Sequence, residues 1–224
     1  MIGVENMENM DKNLQGIEYM KEGKWEEAVK VFNEIIEESP EDPIAYINFG
    51  NLLATLDDND RALQFFQKAI ELDEDAASAY YSMGNLFYEG EQYEQAKNMF
   101  ETAMTKGIES SDNFFMLGMS WIALEQPRLA LPYLQRCTEL NDQDGEAFFQ
   151  YGLCLANEEY IDEAIIQFEK CIDIDPTHAD AFYNLGVAYG FKEDGEKAIG
   201  MFDKALEIEP NHILAGHGKK LLES

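Results

Sequence analysis

The residues of this chain best suited to covalent or metal chemistry are three cysteines and three histidines, and their spacing decides what they can do. Cys137, Cys154 and Cys171 are each 17 residues apart. Stacked helices could bring such thiolates together around a zinc ion. At offsets of 34 residues, however, Cys137 and Cys171 share their places with Ala69, Ala103 and Ala205, and Cys154 shares its place with Ala188. Small buried residues account for all three positions. His178 and His212 fall in turns and His217 lies near the end, so they read as surface residues outside any nucleophile–base pair. Phosphate-binding G-x-x-x-x-G-K, metalloprotease H-E-x-x-H and C-x-x-C motifs are absent. The expectation is a chain with no cofactor, no metal and no enzymatic activity.

Charge narrows the partners. Asp and Glu outnumber Lys and Arg 45 to 16, a formal charge of -29. Nucleic-acid affinity rests on Lys and Arg displacing counterions, and anionic headgroups repel acid surfaces. Neither nucleic acid nor membrane is therefore expected as a partner, and basic protein segments are. The opening MIGVENMENMDK lacks the basic start and apolar run of a secretory signal, and no stretch approaches a membrane span. An odd number of cysteines in a chain with a 46% hydrophobic composition suggests no disulfide framework, so a reduced, cytoplasmic setting is expected.

The elements that position these residues follow from a period of 34. Glycines stand at Gly16, Gly50, Gly84, Gly118, Gly152 and Gly186. Ala28, Ala62, Ala96, Ala130, Ala164 and Ala198 form a second row, and Phe32, Phe66, Phe100, Leu134, Phe168 and Phe202 a third. Each unit holds two runs with apolar residues at helical spacing, such as PIAYINFGNLLATL and RALQFFQKAIEL, joined by short polar turns such as LDDND. A mid-helix glycine costs about 1 kcal/mol against alanine. Repeated in phase, it implies that the two helices approach too closely for a side chain. The row four before the glycine (Tyr46, Tyr80, Phe114, Phe148, Phe182) and the phenylalanine row are expected to fill the core.

This layout closely resembles the tetratricopeptide repeat family, whose pattern is an aromatic, Leu-Gly and Tyr on one helix, then Ala, Phe, Ala and a terminal Pro on the next. The fifth unit reads AFFQYGLCL…EAIIQFEKCIDIDP and the sixth AFYNLGVAYG…KAIGMFDKALEIEP. The resemblance implies an all-α, right-handed superhelical solenoid of antiparallel helix pairs. Residues 1–8 would be an extension, followed by six repeats (9–42, 43–76, 77–110, 111–144, 145–178, 179–212) and a capping helix over 213–224. Gly216 and Gly218 should make that last helix weak. The first repeat carries Lys12 and Gln15 where later repeats are aromatic or apolar, as a polar end cap would. Pro132, inside a second helix, should bend it locally.

In the family, the first helix of each pair lines a concave groove. Its geometry turns the row three before the glycine toward that face: Ile47, Tyr81, Phe115, Phe149 and Tyr183. Neighbouring rows add Asn48 and Asn184 (two before), Asn51, Asn85 and Met119 (one after) and Tyr88 (four after). Amides there can grip an extended backbone, and aromatics can take side chains or cations. Asp112, Glu146 and Asp180 lie three before Phe115, Phe149 and Tyr183, on the same helix face. They read either as cradles for basic side chains or as complements to the helix dipole. Members that clamp a C-terminal carboxylate use Lys and Arg beside the asparagines. Here Asn13, Ser78 and Ser82 stand instead, so that function is set aside. The expected function is an adaptor holding an extended or helical segment of a partner protein, with basic residues flanking apolar anchors. The alternative is a structural protein that self-associates weakly by end-to-end stacking.

Overall fold

The computed structural model describes the backbone of residues 2–223 and the side chains from Lys12 to Glu223. Among the described residues there are thirteen helices and no strand. They are α1 (Ile2–Lys21), α2 (Trp25–Glu38), α3 (Pro43–Thr55), α4 (Asn59–Leu72), α5 (Ala77–Glu89), α6 (Tyr93–Thr105), α7 (Ser111–Ala123), α8 (Pro127–Leu140), α9 (Gly145–Asn157), α10 (Ile161–Ile174), α11 (Ala179–Phe191), α12 (Gly195–Ile208) and α13 (Ile213–Glu223). They fall into two compact halves, Met1–Glu109 with α1–α6 and Ser110–Ser224 with α7–α13. Within each half, consecutive helices pack as antiparallel pairs.

Close approach inside a pair explains the glycine row. A Cβ built on Gly50, Gly84, Gly152 or Gly186 would meet the ring of Phe66, Phe100, Phe168 or Phe202 at 2.5–2.7 Å. On Gly118 it would meet Leu134 at 2.7 Å. Real contacts do not come so near. Each phenylalanine therefore lies over the glycine of its own pair, and Phe32, Phe66 and Phe100 have no exposed surface. The alanines at 28, 62, 96, 130, 164 and 198 are equally closed.

A second device joins the two helices of each pair. Asp57, Glu91, Glu125, Glu159 and Glu193 all have φ between 57° and 64°, and Gly23 holds the same place in the first pair with φ 70°. The bonds Asp57 N–H to Ala54 O (3.0 Å) and Asp58 N–H to Leu53 O (2.9 Å) are those of a Schellman turn, and the same pattern recurs at the other five turns. Left-handed backbone costs an L-residue about 1–2 kcal/mol, while glycine adds about 0.5–1 kcal/mol of unfolded-state entropy. Glu91→Gly and Glu159→Gly are thus each expected to raise stability by about 0.5–1 kcal/mol, read as a higher urea midpoint with unchanged m-value. A lower midpoint would mean that the carboxylate holds the turn.

Between pairs, side chains cap the first helices. Asp42 accepts from Ile44 N–H (3.0 Å), Ser110 from Asn113 N–H (3.2 Å) and Asp144 from Ala147 N–H (3.1 Å). Lys12 is ion-paired with Glu38 within the first pair. Pro132 does not interrupt α8, which runs on to Leu140.

The last helix packs as the first helices of the pairs do. Ala215 is fully buried, as Ala181 and Ala147 are one and two repeats earlier. Gly218 is a close-approach residue, since a Cβ there would lie 2.8 Å from Phe202. Lys219 bonds Asp203 at 2.6 Å. The glycine that lowers the helix propensity of α13 also lets it seat on α12.

Candidate functional site

The rows expected to face a guest divide by burial. In the N-terminal half, Tyr81 rests on Phe100 with ring centroids 5.6 Å apart, and Tyr88 meets the edge of Tyr93 at 5.3 Å. Burial, then Tyr93, pushes the Tyr88 phenol above its usual value. Asn48 donates to the Asn13 side chain at 2.8 Å, so part of its amide is spent inside the protein. Asn51 and Asn85 stay half-buried and, with Ser82 and Thr55, line a cleft of about 260 Å³ between α3 and α5. Glu89 is part of the same lining. This cleft offers amides and hydroxyls.

In the C-terminal half the apolar row sinks further than its spacing implies. Phe149 is 8% exposed, packed on Phe168 (6.0 Å) and on the His178 ring (4.4 Å). Its ring underlies the surface and offers little of itself to a ligand. Ile47, in the same row of the other half, is likewise buried. Phe115 is half-buried against the cluster around Ala130, Leu134 and Cys154, and Met119 is half-buried on the same helix. Tyr183 is half-buried between Phe202 (5.9 Å) and His212 (5.2 Å). Asn184 donates to Asp180 O at 2.8 Å and borders a cleft of about 850 Å³ between α9 and α11.

His178 and His212 overturn their reading as ordinary surface residues, while His217 is exposed. His178 Nδ1 accepts from Ala181 N–H at 3.1 Å and His212 Nδ1 from Ala215 N–H at 3.2 Å, so each caps a helix in the register of Ser110 and Asp144. His212 is 7% exposed. With Nδ1 accepting, the ring proton sits on Nε2, which donates to Asp180 Oδ1 at 3.1 Å. His178 Nε2 approaches Glu146 Oε2 at 3.6 Å, and Glu146 also accepts from Gln150 at 2.7 Å. The carboxylates of Glu146 and Asp180 thus each lie beside the imidazole of the next linker, with both acidic side chains still more than half exposed. Asp112 is exposed, and the residue at the corresponding linker place is the carboxylate Asp144. A signal for these caps is present in the sequence: both histidines are 34 residues in phase with Ser110 and Asp144.

His212→Ala is expected to cost about 1–2 kcal/mol, the worth of an N-cap and its charge-assisted bond. The effect should appear as faster amide exchange in α13 with α9 unchanged. His212→Asn, which keeps a capping acceptor, should recover about half. Equal exchange in all three proteins would remove the cap from the account.

The three thiols are closed off. Cys137 and Cys171 have no exposed surface and Cys154 has 2%. Burial first, and nearby carboxylates second, push each pKa up to about 12. Among the described residues no group of three or more His, Cys, Asp or Glu is placed to hold a metal, and no helix is long and apolar enough to cross a membrane.

Known proteins match this architecture. Models of the tetratricopeptide repeat match residues 13–79, 77–105, 145–178 and 179–212. The crystal structure of YrrB, a TPR protein described as having an unusual peptide-binding site, is 56% identical, with 84% of this chain and 97% of that one covered and a TM-score of 0.80. A crystal structure of MamA is 25% identical over 76% of this chain and 93% of that chain, with a TM-score of 0.70. PilF of Pseudomonas aeruginosa shares the fold at 18% identity, covering 97% and 99% with a TM-score of 0.81. No curated protein matches. The repeat matches, and an identity of 56% with YrrB over most of both chains, make this chain a member of the tetratricopeptide repeat family.

Proposed function

We propose that this chain is a non-catalytic protein-interaction scaffold whose first-helix faces hold a segment of a partner protein, one carrying basic residues beside apolar anchors. The observation that carries this reading is the pair of clefts, one in each half, both bordered by the rows around the repeat glycine. The amides of Asn51 and Asn85 face one, and Asn184 borders the other. Amide donors and acceptors on a helix face suit an extended backbone without demanding one sequence. The charge of -29 favours a basic guest and disfavours nucleic acid. YrrB, its 56% identical relative, is described as having a peptide-binding site. The buried thiols and capping histidines have structural work, which fits a chain without a reaction to catalyse.

The test is affinity capture from extract of the source cell at low and physiological salt. The wild type runs beside Asn51→Ala/Asn85→Ala/Asn184→Ala, and captured proteins are identified by mass spectrometry. A protein held by the wild type, lost with the variant and weakened by salt supports the reading, because exposed charges are screened beyond about 8 Å at physiological ionic strength. The same proteins on both baits would place binding elsewhere on the surface.

A further inference from the structure

The C-terminal half holds a second cleft that adjoins the first. Its volume is about 310 Å³, and α13 builds one wall with Gly218, Leu221 and Leu222. The opposite wall is α11, through Gly186, Val187, Gly190 and Phe191, with Phe202 at the base. Val187 and Phe191 also line the cleft of about 850 Å³ on the other side of α11. Phe191 stands between the two clefts with 73% of its surface exposed, and Leu221 is 62% exposed. The larger cleft is also lined by Glu159, Asp162 and Glu163, with Tyr160 half exposed among them. Lys192, next to Phe191, is paired with Asp162, which leaves Glu159 and Glu163 to set the sign of this acidic lining.

We infer that α13 is part of the binding site, and that the Phe191–Leu221–Leu222 cleft takes a bulky apolar side chain of a partner segment whose Lys or Arg reaches Glu159 and Glu163. This rests on the groove reading above and names the chemistry of its guest. Volumes of this size suit a few side chains. A second copy of the chain is disfavoured, because stable dimers bury some 1,200–2,000 Å² and each copy carries a charge of -29. Phe191 is the large exposed aromatic ring that an anchor can cover, and central aromatics dominate such contacts. Gly190 keeps the mouth open: a Cβ there would meet nothing within 4 Å.

The test selects binders from a phage-displayed library of random 12-residue peptides on the wild-type chain. The enriched consensus peptide is then measured by fluorescence anisotropy. Enriched sequences should pair Phe, Leu, Met or Trp with nearby Lys or Arg. Phe191→Ser and Gly190→Leu should each weaken the peptide at least tenfold, the first by removing the ring and the second by filling the mouth. Both sites are open, so thermal midpoints should stay near that of the wild type. Enrichment that ignores both variants yet falls with Asn51→Ala/Asn85→Ala would overturn the α13 site and leave the groove reading standing. A library with no enrichment at all would overturn both. Enrichment of acidic or purely polar peptides would overturn the chemistry assigned here. A wild type that dimerises and becomes monomeric with Phe191→Ser would make a second copy the occupant, and the proposal would fail.

Discussion

Replacing Phe168 with alanine is expected to remove about 3–5 kcal/mol of stability, the cost of emptying a ring-sized space in a packed core. Phe168 is 1% exposed and its ring lies on Gly152, where a Cβ would come within 2.6 Å. Gly152→Ala alone should therefore destabilise by about 1–3 kcal/mol through overpacking, although alanine is the better helix former by about 1 kcal/mol. On the Phe168→Ala background the clash is gone and the sign should reverse, with Gly152→Ala restoring about 1 kcal/mol or more. The four proteins form a double-mutant cycle whose coupling energy should exceed about 2 kcal/mol, read from urea midpoints at constant m. Additive effects would mean that the glycine row serves something other than the approach of the phenylalanine. The C-terminal half should show this most simply at Gly152, because at Gly118 the facing residue is the more adaptable Leu134.

That glycine–phenylalanine contact is also why the fold was legible in the sequence. A residue that costs helix stability recurs only where geometry demands it, so a row of them in phase announces the pairing. The inter-helix turns were not legible in the same way. Asp57, Glu91, Glu125, Glu159 and Glu193 adopt left-handed backbone, yet glutamate carries no compositional signal for it. The one hint was Gly23, which is in phase with all five.

The site was legible in its rows and not in its depth. Spacing fixes which way a side chain leaves a helix, but the neighbouring linker decides what covers it. Phe149 and Tyr183 lie under the rings of His178 and His212, which arrive from the following linker. The acids Glu146 and Asp180 meet the same two imidazoles. Phe191 was missed for a related reason. It stands five after its glycine, in a row otherwise occupied by Lys21, Thr55, Glu89, Ala123 and Asn157, outside the rows expected to face a guest. Its apolar character in a small or polar row was the available signal, and only the arrival of α13 beside it gives that character a place in a cleft.

The thiols should make this protein unusually sensitive to alkali. Burial raises Cys137, Cys154 and Cys171 from an ordinary 9.0 to about 12. Below pH 9 both folded and unfolded chains keep the protons, and the thiols take no part in stability. Above it the unfolded chain releases them while the folded chain holds them, so unfolding gains about 1.4 kcal/mol per thiol for each pH unit up to about 12. At pH 10 the three together should cost about 4 kcal/mol, a large share of the 5–15 kcal/mol typical of a folded domain. Cys137→Ala/Cys154→Ala/Cys171→Ala removes this dependence with residues that the sister repeats already use at those places. The variant should be somewhat less stable than the wild type at pH 7 for want of three sulfur atoms. Its urea midpoint should fall much less between pH 8.5 and 10.5, so the two curves cross. Burial raises the Tyr189 phenol to about 12, with help from its bond to Glu169, and that loss sets in above pH 10 in both proteins. Lys24, Lys106 and Lys219, raised by bonded carboxylates, also lose their contribution as pH climbs past their folded values, again in both. Subtracting the two curves isolates the thiols. Parallel curves across this range would mean that water reaches the cysteines, and the same conclusion would follow if a thiol reagent at pH 8 titrated all three in the native protein as fast as in urea.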